Sequence, residues 1–283
     1  MTKRTRNIII GVVIVVVVAI IGWFSFGGST SKASNKTVTI GIMSGAKQDE
    51  EIWNVVSKTA KDKYGITLKF DYFTDYNQPN IQLVSGKIDL NAFQSFNYVN
   101  DWNKKNNTDI VSVGSTYITP MHVFSKTVKS ISDIPNGGTI AIPNDAANES
   151  RALNVLQSAG LIKLNTDANQ LANLQNITSN DKNIQFKEVD ASLTAQALSS
   201  VSASVVNQNY FEAANLPKSE SIYAEPLTAS SAQFVNFIAA DKKNADNKLY
   251  KDVAKAYADP ATEAEIKKVY PDGSMLAAWN KKF

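Results

Sequence analysis

The sequence predicts an α/β protein carried behind a single membrane-spanning helix. Three observations predict it: strand-like and helix-like segments alternate from Val38 onward, glycines close the helical runs, and a 19-residue apolar stretch without formal charge, residues 8–26, precedes them. Residues 38–42 read as a first strand. Ile52, Val55, Val56, Thr59 and Ala60 then recur at helical spacing until Gly65 stops the helix, and residues 67–72 follow as a second strand. The rhythm returns with a strand at 139–142, a helix over 148–159 stopped by Gly160, and strands at 185–189, 203–206 and 234–238. The last stretch is helical, with Leu249, Val253, Ala256 and Tyr257 on one face and Ile266, Val269 and Tyr270 on another. The Asn-rich span 165–183 reads as surface helix and loop, and no internal repeat is visible.

At about 1.5 Å per helical residue the leading apolar run reaches about 28 Å, the hydrocarbon thickness of a bilayer. Lys3, Arg4 and Arg6 put its short leading side in the cytoplasm and the rest of the chain outside. A cleaved signal peptide has a shorter apolar region, of about 7 to 15 residues, so a retained anchor over 1–27 is the expectation. Residues 28–37, small and polar with three serines, read as a flexible tether to a domain over 38–283.

Composition narrows the function. The chain has 283 residues, 43% hydrophobic and 19% charged, enough to bury one large core or two small ones. Beyond the three leading cations, 26 Asp and Glu face 26 Lys and Arg, so the soluble part is neutral and offers no broad basic surface to nucleic acid. With no cysteine there are no disulfides, no thiolate metal sites, no cysteine nucleophile and no lipidated cysteine.

Enzyme motifs fail in turn. Gly41 to Lys47 lacks the glycine spacing and the Ser or Thr of a phosphate loop and reads as a strand-to-helix turn. His122 is the only histidine and lies between Met121 and Val123, which favours packing over a triad or a metal site. Asp49, Glu50 and Glu51 fall in the first turn of a predicted helix, where they favour the positive end of its dipole. No metal or cofactor is expected.

Three blocks carry a resemblance. Asp75-Tyr76-Asn77-Gln78-Pro79-Asn80, then Gly86 through Gln94, then Ile142-Pro143-Asn144-Asp145 running into Asn148 and Arg151-Ala152-Leu153, are similar to signature blocks of the methionine-binding lipoprotein family, over about 38 to the C-terminus. The resemblance implies a two-lobed, periplasmic-binding-protein-like (type II) α/β fold with two interlobe crossovers and hinge closure on an amino acid. Lobe one would take residues 38–117 and 229–283, lobe two residues 118–228. It also implies an extracellular substrate-binding subunit of an ABC importer, not an enzyme, that delivers L- or D-methionine or a close analogue to a permease with its separate ATPase; with the apolar run as its single pass in the cell membrane, a monomer is the expectation.

For the site, Arg151 would fall in the first turn of a helix capped by Asn148, its guanidinium and the backbone amides facing a carboxylate. A salt bridge within the protein is the alternative for Arg151. By similarity, Asn207 and Asn236 would hold the ligand's amino and carboxylate groups, and Tyr76, Phe93 and Tyr98 would wall its side chain. Ser95 stands where many relatives carry histidine, which removes a ring from the pocket. Another apolar amino acid or a methionine-containing dipeptide is therefore the alternative ligand.

Overall fold

A computed structural model describes residues 36–166 and 170–281. The apolar run expected to span the membrane lies outside the described residues, and among them no helix is long and apolar enough to cross a bilayer.

Two five-stranded sheets organise the chain. The first holds β1 (Lys36–Met43), β2 (Ile66–Phe73), β3 (Leu90–Ser95), β4 (Ile110–Ser115) and, from much later in the chain, β13 (Asn236–Asp241), in the order β2-β1-β3-β13-β4. β1 and β3 run parallel, whereas β13 is antiparallel to both its neighbours. The second holds β6 (His122–Phe124), β7 (Thr139–Pro143), β10 (Gln185–Val189), β11 (Ala203–Val206) and β12 (Ser221–Ala224), in the order β10-β7-β11-β6-β12. The chain therefore passes from one sheet to the other twice, through residues 116–121 and 225–235. Two short antiparallel pairs complete the strands: β5 (Tyr117–Ile118) with β14 (Leu276–Ala277), and β8 (Lys163–Leu164) with β9 (Ile177–Ser179).

The helices are α1 (Lys47–Tyr64), α2 (Gln78–Val84), α3 (Phe96–Asn106), α4 (Ala146–Ser158), α5 (Thr194–Ala197), α6 (Gln208–Ala213), α7 (Lys248–Tyr257) and α8 (Pro260–Val269). The apolar face of α1, with Ile52, Trp53, Val56 and Ala60, packs with Val38, Ile40 and Ile42 of β1 and with Val253 and Tyr257 of α7 in the core of the first sheet. Its end is set by Gly65 at φ 69°, whose N–H reaches the carbonyls of Ala60 and Lys61, a left-handed cap that favours glycine. Ile140, Ile142, Leu153, Leu156 and Val205 fill the core of the second sheet. A third cluster draws on both: Met43, Tyr76, Phe93 and Tyr98 meet Phe124, Val206, Tyr210 and Phe211.

Three expectations need correction. The cap of α4 is Asp145, whose side chain accepts from the Asn148 N–H at 2.9 Å, so Asn148 lies in the first turn and Arg151 beyond it. β13 begins at Asn236 because residues 229–234 wind into 3₁₀ turns, started by the reciprocal Thr228 and Ser231 capping bonds. The Asn-rich span holds a 3₁₀ turn at Leu174–Asn176 and the β8–β9 pair rather than an α-helix, its amides closing local turns instead of a helical ladder.

Candidate functional site

All seven residues singled out from the sequence, Tyr76, Phe93, Ser95, Tyr98, Arg151, Asn207 and Asn236, line one cavity that is partly open to solvent. They reach it from elements of both sheets. Tyr76 follows β2, Phe93 and Ser95 end β3, Tyr98 opens α3, Arg151 projects from α4, Asn207 follows β11, and Asn236 opens β13.

The ring wall is continuous. Tyr76 packs 5.7 Å from Phe93, 5.8 Å from Tyr98 and 4.8 Å from Tyr210, centroid to centroid. The Tyr98 hydroxyl donates to the Tyr76 carbonyl at 3.0 Å, and the Tyr76 hydroxyl donates to Asn209 Oδ1 at 2.6 Å. Burial pushes both phenols well above their usual range, so they act as neutral donors. Ser95 is tied into this arrangement: its hydroxyl caps α3 by accepting from the Tyr98 N–H at 3.3 Å, and it pairs with Asn236 across β3 and β13.

Arg151 is nearly enclosed, its side chain 7% exposed and that of Glu225 8%. Its Nε donates to both Glu225 oxygens at 3.1 and 3.0 Å, and its Nη2 donates to Glu225 at 2.6 Å and to the Thr119 carbonyl at 2.6 Å. The Phe234 ring lies 4.4 Å from its Cζ. The internal salt bridge and the cavity position thus coexist: among the described residues no hydrogen bond falls to Nη1, which leaves that nitrogen for a ligand oxygen.

The amides after β11 are half engaged. Asn207 donates through Nδ2 to Asn148 Oδ1 at 2.8 Å, while its own Oδ1 is buried and has no partner among the described residues. Gln208 donates to Glu212 at 2.7 Å, and its Oε1 is likewise unpartnered. A buried acceptor in this state costs about 1–3 kcal/mol until something donates to it, so the wall is suited to an ammonium group.

Sequence reasoning missed several wall residues, among them Thr119, Asn148, Gln208, Asn209, Glu212 and Asp49. The run Asn207-Gln208-Asn209 after an apolar strand was a usable signal. Asp49 was not legible, because its place in the first turn of α1 already had a dipole explanation; it is half-buried and lines the cavity. His122 is packed instead, 7% exposed, with Nδ1 at 2.8 Å from the Ser221 hydroxyl and its ring against Phe124 and Phe211. Burial first, and Lys218 second, lower its pKa to about 4, so it is neutral at physiological pH.

A profile described as NlpA lipoprotein matches residues 38–279. The chain belongs to the NlpA lipoprotein family. Among its relatives, a probable D-methionine-binding lipoprotein of Pasteurella multocida is 33% identical over 245 residues, covering 86% of this chain and 87% of the relative. Of solved structures, a nutrient-binding protein from Burkholderia cenocepacia bound to methionine is 41% identical with a TM-score of 0.79, covering 85% of this chain and 99% of the other. The substrate-binding protein of a methionine transporter from Streptococcus pneumoniae is 40% identical with a TM-score of 0.80, covering 87% and 96%. NlpA-family membership and these neighbours establish the two-lobed binding-protein fold for the two sheets described above.

Proposed function

We propose that this chain is the extracellular substrate-binding subunit of an ABC importer, which captures methionine of either hand, or a close analogue, and delivers it to a membrane permease driven by a separate ATPase. The observation that carries the reading is one cavity holding, among the described residues, a guanidinium nitrogen and a buried amide oxygen without partners beside three packed rings. The ligand carboxylate would meet Arg151 Nη1 and Asn236, its ammonium Asn207 Oδ1, and its thioether the Tyr76, Phe93 and Tyr98 rings beside Ser95. Each sulfur–ring contact is worth about 0.3–1.5 kcal/mol. Capture is the whole of the proposed chemistry, in keeping with relatives and neighbours described as binding proteins.

We take residues 38–117 and 229–283 as one lobe and 118–228 as the other, on the support of sheet membership. Residues 1–27 would hold the chain in the membrane as a single pass, with 28–37 as the tether and the binding domain, a monomer, on the outer side. Tethering keeps the domain concentrated near its permease.

The test is mass spectrometry of the ligand that copurifies with the protein, followed by thermal-shift titration with L- and D-methionine. A bound amino acid whose stabilisation disappears in Arg151→Ala and Asn236→Ala is the expected result. Full stabilisation surviving both substitutions overturns the assignment.

A further inference from the structure

The cavity also takes in Asp49 from the first turn of α1. Asp49 and Glu212 share that wall with Gln208, Tyr117 and Met275. Glu212 accepts from Gln208 Nε2 at 2.7 Å and from the Tyr270 hydroxyl at 2.9 Å. Among the described residues neither a hydrogen bond nor an ion pair falls to the Asp49 carboxylate. The groups that act on it are Glu212 from α6 and the phenols of Tyr117, Tyr257 and Tyr270, none of them a cation. Lys218, which acts on Glu212, is itself paired with Asp272. Independently of the two acids, Gln208 is 5% exposed, walls the same space, and has a buried Oε1 without a partner. Two carboxylates and an amide acceptor therefore face one cavity in which, among the described lining residues, the one cation is Arg151, already paired with Glu225, and the acids form an arrangement that a desolvated primary ammonium completes.

We propose that Asp49, Glu212 and Gln208 form an ammonium subsite, so that this chain takes an amino-acid-like ligand whose protonated amine lies several bonds beyond the ordinary α-amino position. The proposal rests on the amino-acid reading above for the carboxylate end of the ligand. Two sources share this chemistry: the N-terminus of a dipeptide and the side-chain amine of a basic amino acid. Loss of water first, and the Glu212 charge second, push the Asp49 carboxyl up to about 8, so at pH 7 the empty site holds a proton there. An arriving ammonium favours the carboxylate, and the proton passes to the buffer.

The test is titration calorimetry on the full-length chain at pH 7, in phosphate and in Tris, with matched ligands that differ in the amine alone: alanyl-L-methionine against propionyl-L-methionine, and L-ornithine against L-norvaline, with L-methionine as reference. At least one amine ligand is expected to bind about tenfold or more tighter than its uncharged partner, the size of one charge-assisted hydrogen bond. The difference in heat between the buffers should report release of up to about one proton. Preference in the dipeptide pair identifies a peptide N-terminus; preference in the ornithine pair identifies a side-chain amine. In Asp49→Asn and Glu212→Gln the ratio, taken within each variant, should fall toward about twofold. Proton release by the unmodified protein needs no variant. Equal binding within both pairs while L-methionine binds overturns the subsite alone, as does a ratio unchanged in both variants. Absence of binding by every ligand, L-methionine included, overturns the amino-acid reading and this proposal with it.

Discussion

Asn80, Asn91 and Gln94 use their amides in one way, and Asn207, Gln208 and Asn209 in another. The first set is 0–2% exposed and closed on itself: Asn80 Nδ2 donates to Gln94 Oε1, Asn91 and Gln94 both donate to Asn80 Oδ1, and Gln94 also donates to Asn91 Oδ1, all at 2.8–2.9 Å. Asn91 adds a bond to the Pro79 carbonyl at 3.2 Å, which fastens α2 to β3. In the second set each residue gives one end to the protein and leaves the other open, at Asn207 Oδ1, Gln208 Oε1 and Asn209 Nδ2. The same functional group is structural where its partners are complete and receptive where they are not. Gln94 lines the same cavity as the second set, so what separates a closed amide from an open one at this wall is satisfaction, neither residue type nor place.

The largest effect tests the satisfied side with a charge. Glu225→Ala leaves the Arg151 guanidinium buried without its counterion and should cost about 3–5 kcal/mol in urea unfolding. Next, Asn80→Ala strips partners from Asn91 and Gln94 together and should cost about 2–3 kcal/mol. Asn207→Ala is the direct contrast: unfolding of the empty protein should shift by less than about 1 kcal/mol, while ligand affinity drops roughly 10- to 100-fold. A stability loss as large as that of Asn80→Ala would break the comparison.

A pH series sharpens it further. The Asp49 carboxyl is raised from 3.8 to about 8 on folding, so the folded state binds more protons across that window and the stability of the empty protein falls as pH rises through it. Asp49→Asn should remove a loss on the order of 2 kcal/mol at pH 9, measured as the variant's advantage over the unmodified chain. The smallest effect is Ser95→Ala, which deletes the cap of α3 and should lower stability by about 1 kcal/mol.

Alternation and punctuation made the α/β class legible, and Gly65 ended α1 where its backbone freedom required. β3 escaped the same reading because Asn91 and Gln94 interrupt its apolar run, although both are buried through their bonds to Asn80. α3 escaped it because Asn97, Asn100, Asp101, Asn103, Lys104 and Lys105 dilute its apolar face to a few residues around Tyr98 and Val99. The ring wall and Arg151 were legible through the resemblance, since aromatics and arginines at such density have ordinary roles in packing and salt bridges. Glu225 lies 74 residues from Arg151, and no local pattern announces a pair over that distance.

Arg151 is bonded to both segments that run between the sheets: to the Thr119 carbonyl in one, and in the other to Glu225, which also accepts from the Met121 N–H at 2.9 Å. The guanidinium is a stitch at the axle rather than a finger at the rim. On the proposed binding mode, such an anchor would travel little as the lobes hinge, so a guest docked on it would keep its salt bridge and lose the rings across the gap first. Arrival and capture would then be separable events, with charge governing the landing and the aromatic face governing how long the guest stays.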